Sequence, residues 1–256
     1  MENLQIERAD GVVTVTLNRP EKKNAINQTM WRELESAFGE IAHRRDDRAV
    51  VITGTGGAFC SGADLNDARD MAMPVLSWMR HIGDVCASLH RMDQPVIAKV
   101  TGVAAGAGLS LALACDLIVA SDQARFTTVF AKRGLTIDFG SSWALPRLIG
   151  LHRAKELALL ADIIDAGEAE RLGLVNRVVP EVEIDAFVDD WATRLAAGPP
   201  LALSMTKRLL NQSFETGVEQ ALDGEGMAQT INFSTADTAE AMAAFVEKRA
   251  PRFEGC

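Results

Sequence analysis

The chain has 256 residues, 48% of them apolar, and carries a formal net charge of −9. That length holds one large domain, or one domain with a small appendage, around a sizeable core. An acidic balance without a long single-sign run argues against a nucleic-acid or anionic-membrane partner.

Residues 4–8 and 12–17 alternate apolar and polar around Asp10-Gly11, which predicts a hairpin. Met30, Leu34, Ala37, Phe38 and Ile41 recur at helical spacing, with Asn27 placed to cap. Residues 50–53 read as a buried strand, and residues 67–92 as a helix-rich segment broken near Pro74. Further strands are predicted at 96–100, 117–120 and 125–127, with a helix starting at Gly108. Repeated strand–turn–helix units imply an α/β protein with a mostly parallel sheet and crossover helices. From Val182 the pattern is helical to the end, punctuated by Gly198-Pro199-Pro200. Leu201, Leu209, Phe214, Met227, Ile231 and Phe245 in that tail need something to cover them. Two units are therefore expected, a core over 1–198 and a helical module over 199–256.

Cys60, Cys86, Cys115 and Cys256 are widely spaced and form no Cys-x-x-Cys pair, the usage of a reducing compartment without disulfides. His43, His81, His90 and His152 share no metal-ligand spacing, so no metal is expected. The chain starts polar, with Glu2 and Asn3, and lacks a signal-peptide shape; a cytoplasmic location is the expectation. Residues 102–120 are apolar, but three glycines and Asp116 favour a buried helix and strand over a membrane span.

Two glycine turns stand out. Residues 94–105 run as a short apolar strand into Gly106-Ala107-Gly108, followed by an apolar helix. The strand at 50–53 runs into Gly54-Thr55-Gly56-Gly57 and then Cys60-Ser61-Gly62-Ala63-Asp64-Leu65. Neither is a nucleotide fingerprint: Leu111 stands where a dinucleotide motif needs its third glycine, and the first turn lacks the Gly-Lys-Ser/Thr of a phosphate loop. Turns of this kind aim unpaired backbone N–H groups, aided by the helix dipole, at negative oxygen. Two such turns converging on one oxygen would stabilise an oxyanion.

In this order and spacing, Leu17-Asn18-Arg19-Pro20, Asn24-Ala25-Ile26-Asn27, Ser61-Gly62-Ala63-Asp64-Leu65, Gly106-Ala107-Gly108 and Ala244-Phe245-Val246-Glu247-Lys248-Arg249 resemble the crotonase superfamily, the enoyl-CoA hydratase/isomerase family. The resemblance covers nearly the whole chain and implies a spiral of repeated β-β-α units with a C-terminal helical module that builds trimers, usually paired into hexamers. It implies that the N–H groups of Ala63 and Ala107 bind a thioester oxygen, beside Gly106 and Gly108. It also implies a CoA site at Lys23, Ala25, Ser61, Ala63, Asp64 and Leu65, completed by Phe245 and Lys248 of a neighbouring subunit. Coenzyme A is then part of the substrate, and no separate cofactor is expected.

The departures from the hydratase pattern carry information. Hydratases of the family use two glutamates, and the matching positions here are Ser110 and Phe130. Adding water requires one group to deprotonate it and another to deliver a proton. Serine and phenylalanine do neither. Asp138, between Ile137 and Phe139, resembles the single acid of superfamily isomerases, including ring-expanding isomerases of phenylacetate breakdown, and the nucleophilic aspartate of aroyl-CoA dehalogenases. An apolar setting raises a carboxyl pKa and suits proton shuttling; the alternative is that Asp138 caps the following helix at Ser141. Phe130, Phe139, Trp143 and Trp78 are candidates for an acyl pocket, or ordinary core. An acyl-CoA isomerase with Asp138 as proton shuttle is the expected function. A hydratase in family name only, an enzyme using Asp138 as nucleophile, and a non-catalytic CoA-ester binding protein are the alternatives.

Overall fold

The computed structural model describes residues 1–67 and 73–256. The part of the expected helix-rich segment at 68–72 lies outside the described residues. The chain opens on a hairpin, β1 (Leu4–Ala9) and β2 (Val12–Leu17), in antiparallel register with Leu4 opposite Leu17. Asp10 and Gly11 turn it, both at positive φ. Helix α1 (Gln28–Ala42) follows, its first turn capped by the Asn27 side chain accepting the Met30 N–H at 2.8 Å. Its buried face is the one read from the apolar spacing: Met30, Leu34, Ala37, Phe38 and Ile41, with Trp31 added.

β3 (Ala49–Gly54), helix α2 (Val75–Arg91) and β4 (Val96–Val100) follow, with Pro74 at the N-cap of α2. Then come β5 (Val103–Ala105), α3 (Ala107–Leu113), β6 (Leu117–Ser121) and β7 (Arg125–Thr127). A six-stranded sheet runs β1-β2-β3-β4-β6 and ends on β9 (Arg177–Val179). A three-stranded sheet runs β5-β7 and ends on β8 (Ile164–Asp165). From β2 onward every pairing in the larger sheet is parallel. Successive strand pairs β4/β5 and β6/β7 each send one strand to the larger sheet and one to the smaller before the chain enters a helix. This is the expected β-β-α spiral. Its core is buried from Val13 in β2 through Phe126 in β7, and Phe38, Phe59 and Phe126 are fully enclosed.

Helices α4 (Ser141–Ile149), α5 (Leu151–Leu160) and α6 (Ala166–Leu172) lie between β7 and β9. Helix α7 (Ile184–Ala196) covers the other face of the larger sheet, burying Ile184, Val188 and Ala192 on Val51, Ile97 and Val119. The tail forms α8 (Pro200–Gln212), α9 (Val218–Phe233) and α10 (Ala236–Glu247). Helix does not continue to the end as expected. After Glu247 the chain is irregular, and Asp237 holds it by accepting the N–H groups of Glu254 and Gly255. Lys207 of α8 pairs with Asp116 at 2.7 Å, and Arg48 donates to the carbonyls of Gly198 and Phe253. Phe214, Met227, Phe233, Met242, Phe245 and Val246 remain exposed along the tail.

Among the described residues no helix is long and apolar enough to cross a membrane, and no group of three His, Cys, Asp or Glu is placed to hold a metal ion.

Candidate active site

The two glycine turns meet. Cys60 and Ala104 form a parallel bridge, with the Cys60 N–H on Val103 O and the Ala105 N–H on Cys60 O, each at 2.9 Å. Gly62 sits at φ +110, and a Cβ there would stand 3.0 Å from Ala105 O and 3.7 Å from Ala107 N, so only glycine brings the turns this close. Gly108 is equally constrained, since its Cβ would lie 2.3 Å from Cys60 O. Ala63 and Ala107 thus flank one point of closest approach. Among the described residues, neither N–H donates to a protein acceptor. Ala107 occupies the first position of α3, where an N–H has no intrahelical partner.

The first loop is stitched to the same place. Ile26 pairs with Ala63: the Ile26 N–H binds Gly62 O at 2.8 Å and the Asp64 N–H binds Ile26 O at 2.9 Å. The Ser61 N–H binds Lys23 O at 2.9 Å, and the Ser61 hydroxyl binds Lys22 O. Lys23, Ala25, Ser61, Ala63, Asp64 and Leu65 therefore form one rim, with Leu65 half exposed. Two residues quoted only as motif letters build it. Asn24, fully buried, accepts the Arg19 N–H and donates to Thr55 O and Ala58 O. Arg19 donates to Ala25 O at 2.6 Å and pairs with Asp64 at 3.1 Å. Burial works against ionisation of Asp64, but the Arg19 hydrogen bond, the Asn66 N–H and the charges of Arg19 and Lys22 outweigh it and lower its pKa. Asp64 thereby ties the turn to Arg19 and to the Asn66 N–H.

The positions of the two missing carboxylates are filled. The Ser110 hydroxyl is buried and donates to Gly106 O at 3.1 Å, while accepting from the Ser141 hydroxyl at 2.6 Å. Phe130 is buried beside the second turn; its Cζ lies 3.9 Å from where a Gly106 Cβ would stand. Val129 before it has φ +40, a strained value for a β-branched residue.

Asp138 lies just before α4. Phe139 at φ +47 and Gly140 at φ +79 reverse the chain after it. The capping alternative fails: it is the Asp138 backbone carbonyl that receives the Ser141 N–H, at 3.0 Å, and Gly140 at the N-cap offers no side chain. The side-chain Oδ1 is buried without a hydrogen-bond partner among the described residues. Burial pushes the Asp138 carboxyl up from 3.8 to about 6. The neighbouring Cys86 thiol is driven up to about 11, by burial and then by the Asp138 charge.

Other side chains of the region are engaged as follows. Burial pushes the Cys60 thiol up to about 12, so it is no nucleophile at neutral pH. Asp116 accepts the Val96 N–H at 2.8 Å, and Lys99 reaches Asp185 at 2.6 Å. Phe139 stacks on Trp31 at 5.2 Å, and Trp78 stacks on His81. Trp143 packs edge-on to His90 and under Arg147. A cavity of about 780 Å³ between α2, α4 and α8 is lined by Cys86, Phe139, Gly140, Trp143 and Lys207, among others, but not by Ala63, Ala107 or Asp138. Phe245 and Lys248 stand at the end of α10, with Phe245 84% exposed.

Residues 7–256 match the family described as enoyl-CoA hydratase/isomerase. The chain belongs to that family. It is 37% identical over 255 residues to the 1,2-epoxyphenylacetyl-CoA isomerase of Escherichia coli, covering 96% of this chain and 95% of the relative. It is 36% identical over 251 residues to the short-chain-enoyl-CoA hydratase of Clostridium acetobutylicum, covering 97% and 96%. The crystal structure of an enoyl-CoA hydratase from Bacillus anthracis superposes with a TM-score of 0.95 at 31% identity, covering 99% of this chain and all of that one. The fold is therefore the crotonase fold. Family members named for hydration and for isomerisation stand at almost equal identity, so likeness alone does not choose the reaction.

Proposed function

We propose that the protein is an acyl-CoA isomerase that moves a double bond, or rearranges a ring, through a thioester enolate. The observation that carries this reading is Asp138: a half-buried residue whose carboxyl Oδ1 is buried and unpartnered among the described residues, in a chain where the two hydratase carboxylate positions are a sealed serine and a phenylalanine.

The thioester oxygen is taken by the N–H groups of Ala63 and Ala107. Charge that develops there on deprotonation meets fixed donors, which lowers the barrier to enolate formation. Asp138 removes a proton from the acyl chain and returns it at another carbon. One carboxylate suffices for this shuttle, whereas hydration needs two groups working on water. With its pKa near 6, Asp138 is ionised at neutral pH yet basic enough to accept a proton and give it back. The rim of Lys23, Ala25, Ser61, Asp64 and Leu65 holds the CoA moiety. Phe130 borders the acyl group, and Phe139 and Trp143 extend the apolar wall.

The exposed tail, residues 199–256, serves as the oligomerisation module of a trimer or hexamer. In it Phe245 and Lys248 reach the CoA of a neighbouring subunit, and Lys248 meets phosphate as a mobile point charge. A cytoplasmic place in acyl-CoA or fatty-acid metabolism follows from this reading.

The test is a panel of 2-enoyl-, 3-enoyl- and aryl-acetyl-derived CoA esters followed by mass spectrometry. An isomer of unchanged mass, lost in Asp138→Asn, is the expected result. A product heavier by one water overturns the isomerase reading. Full turnover by Asp138→Asn removes Asp138 from the chemistry, both as shuttle and as nucleophile.

A further inference from the structure

The Ser141 and Ser110 hydroxyls belong to no part of the mechanism above, yet they are joined to it. Ser141 is 2% exposed and Ser110 1%. Gly106 O is an acceptor only, so the single hydroxyl proton of Ser110 is committed to it, at 3.1 Å. Ser110 Oγ must then accept from Ser141, at 2.6 Å. The same carbonyl also accepts the Ser110 backbone N–H at 2.9 Å. Gly106 C=O and Ala107 N–H are the two ends of one peptide group. Resonance couples them, so electron density drawn to the oxygen leaves the N–H more acidic.

We propose that Ser141 and Ser110 are positioning residues whose hydroxyl relay, ending on the Gly106 carbonyl, polarises the peptide group that presents the Ala107 N–H to the thioester oxygen. The relay also fastens the start of α4 to the start of α3. Asp138, whose carbonyl receives the Ser141 N–H, and the oxyanion donor are thereby held in one hydrogen-bonded frame. A carboxylate at position 110 would take this hydroxyl's place in the site. Here the position strengthens a donor instead. The inference rests on Ala107 being an oxyanion donor, and its test separates the two claims.

The experiment is difference infrared spectroscopy of butyryl-CoA, ¹³C-labelled at the thioester carbonyl, bound to the intact protein. Butyryl-CoA has no double bond to move, so the readout is independent of turnover. In the wild type the bound carbonyl stretch is expected below that of free butyryl-CoA. If it is not, the oxyanion-hole assignment itself fails. Ser110→Ala removes the hydroxyl while leaving the backbone N–H on Gly106 O, and the band is expected to move back toward the free value. Ser141→Ala, which leaves the Ser110 bond in place, gives a smaller return. Ser110→Thr restores the wild-type band, since a helical threonine hydroxyl also reaches the i−4 carbonyl. On a turned-over substrate, kcat of Ser110→Ala is expected to fall about tenfold with KM within about twofold, a fraction of the 10²–10³ that a whole donor supplies. A wild-type shift retained in both alanine variants overturns the relay.

Discussion

Replacing Asp138 by asparagine tests the candidate site through stability as well as rate. The isostere keeps the volume and removes the titration. Burial raises the Asp138 carboxyl from 3.8 to about 6, so the folded protein holds this proton more tightly than the unfolded chain does. Between those values the native state binds more protons than the unfolded state, and stability falls as pH rises. The contribution is complete below about pH 4 and gone above about pH 6, where a charge is held in an apolar setting. A displacement of about two pKa units corresponds to about 3 kcal/mol, lowered to about 2–3 kcal/mol by the residual solvent contact of the group. Asp138→Asn is therefore expected to be more stable than the wild type by about 2–3 kcal/mol at pH 7.5, and by only about 1 kcal/mol near pH 4.5. Urea unfolding from pH 4.5 to 8, at one protomer concentration, measures this. Over the same range wild-type isomerisation should climb about tenfold per pH unit up to about pH 6 and then level, because only the carboxylate accepts a proton. The neighbouring Cys86 thiol, near 11, does not titrate in that window. The variant should lose 10²–10⁴ in rate, the usual span for a general base. A variant slower but no more stable at neutral pH, or one whose stability tracks the wild type across the range, would refute the burial argument for Asp138.

Three further outcomes are expected. Ala107→Pro removes an N–H that bonds to nothing among the described residues, at a helix position where proline is tolerated; turnover should drop by about 10²–10³ while gel filtration shows the assembly intact. Activity within a few-fold of wild type would displace Ala107 from the oxyanion site. Asn24→Ala strips four hydrogen bonds from a fully buried side chain, two of them donated to Thr55 O and Ala58 O, and should cost about 3 kcal/mol in urea unfolding. Lys248→Glu should weaken CoA-ester binding in calorimetry without changing the trimer or hexamer mass by light scattering; a wild-type monomer with affinity unmoved by the variant would defeat the shared-site assignment.

Much of the spiral is legible in the sequence because its signals are local. The Asp10-Gly11 turn, the Asn27 cap and the apolar runs of β3, β4 and β6 each state their own conformation. The paired glycine turns are legible for the same reason: Gly62 and Gly108 are required by backbone packed on backbone, which no side chain can mimic. Helices α4, α5 and α6 and the short strands β5, β8 and β9 are not. These strands of two or three residues hold too little alternation to register, although the equally short β7 is read, and their pairing with β6 and β7 is set by contacts distant in sequence. Arg19 and Asn24 could be read only as motif letters, because the carbonyls they bind come from a loop more than thirty residues on in one case and are gathered by folding in both.

Ser110 marks the limit most clearly. From the sequence it is an absence, a position where a hydratase carboxylate is missing. Its effect depends on Ser141, 31 residues away, and on a carbonyl one turn back in its own helix. Sealing that hydroxyl between α3 and α4, and setting Phe130 against the same Gly106 turn, takes away both groups that would hold a reactive water. What remains is one carboxyl, Asp138, with a buried oxygen that no described residue satisfies. Such a group is costly to keep ionised, and nothing in the packing around it recovers that cost. The cost is intelligible if Asp138 is there to take a proton: the same desolvation that destabilises the charged form raises its basicity toward that of an enolising acyl chain. Stability lost and basicity gained come from a single cause, so one substitution must move both.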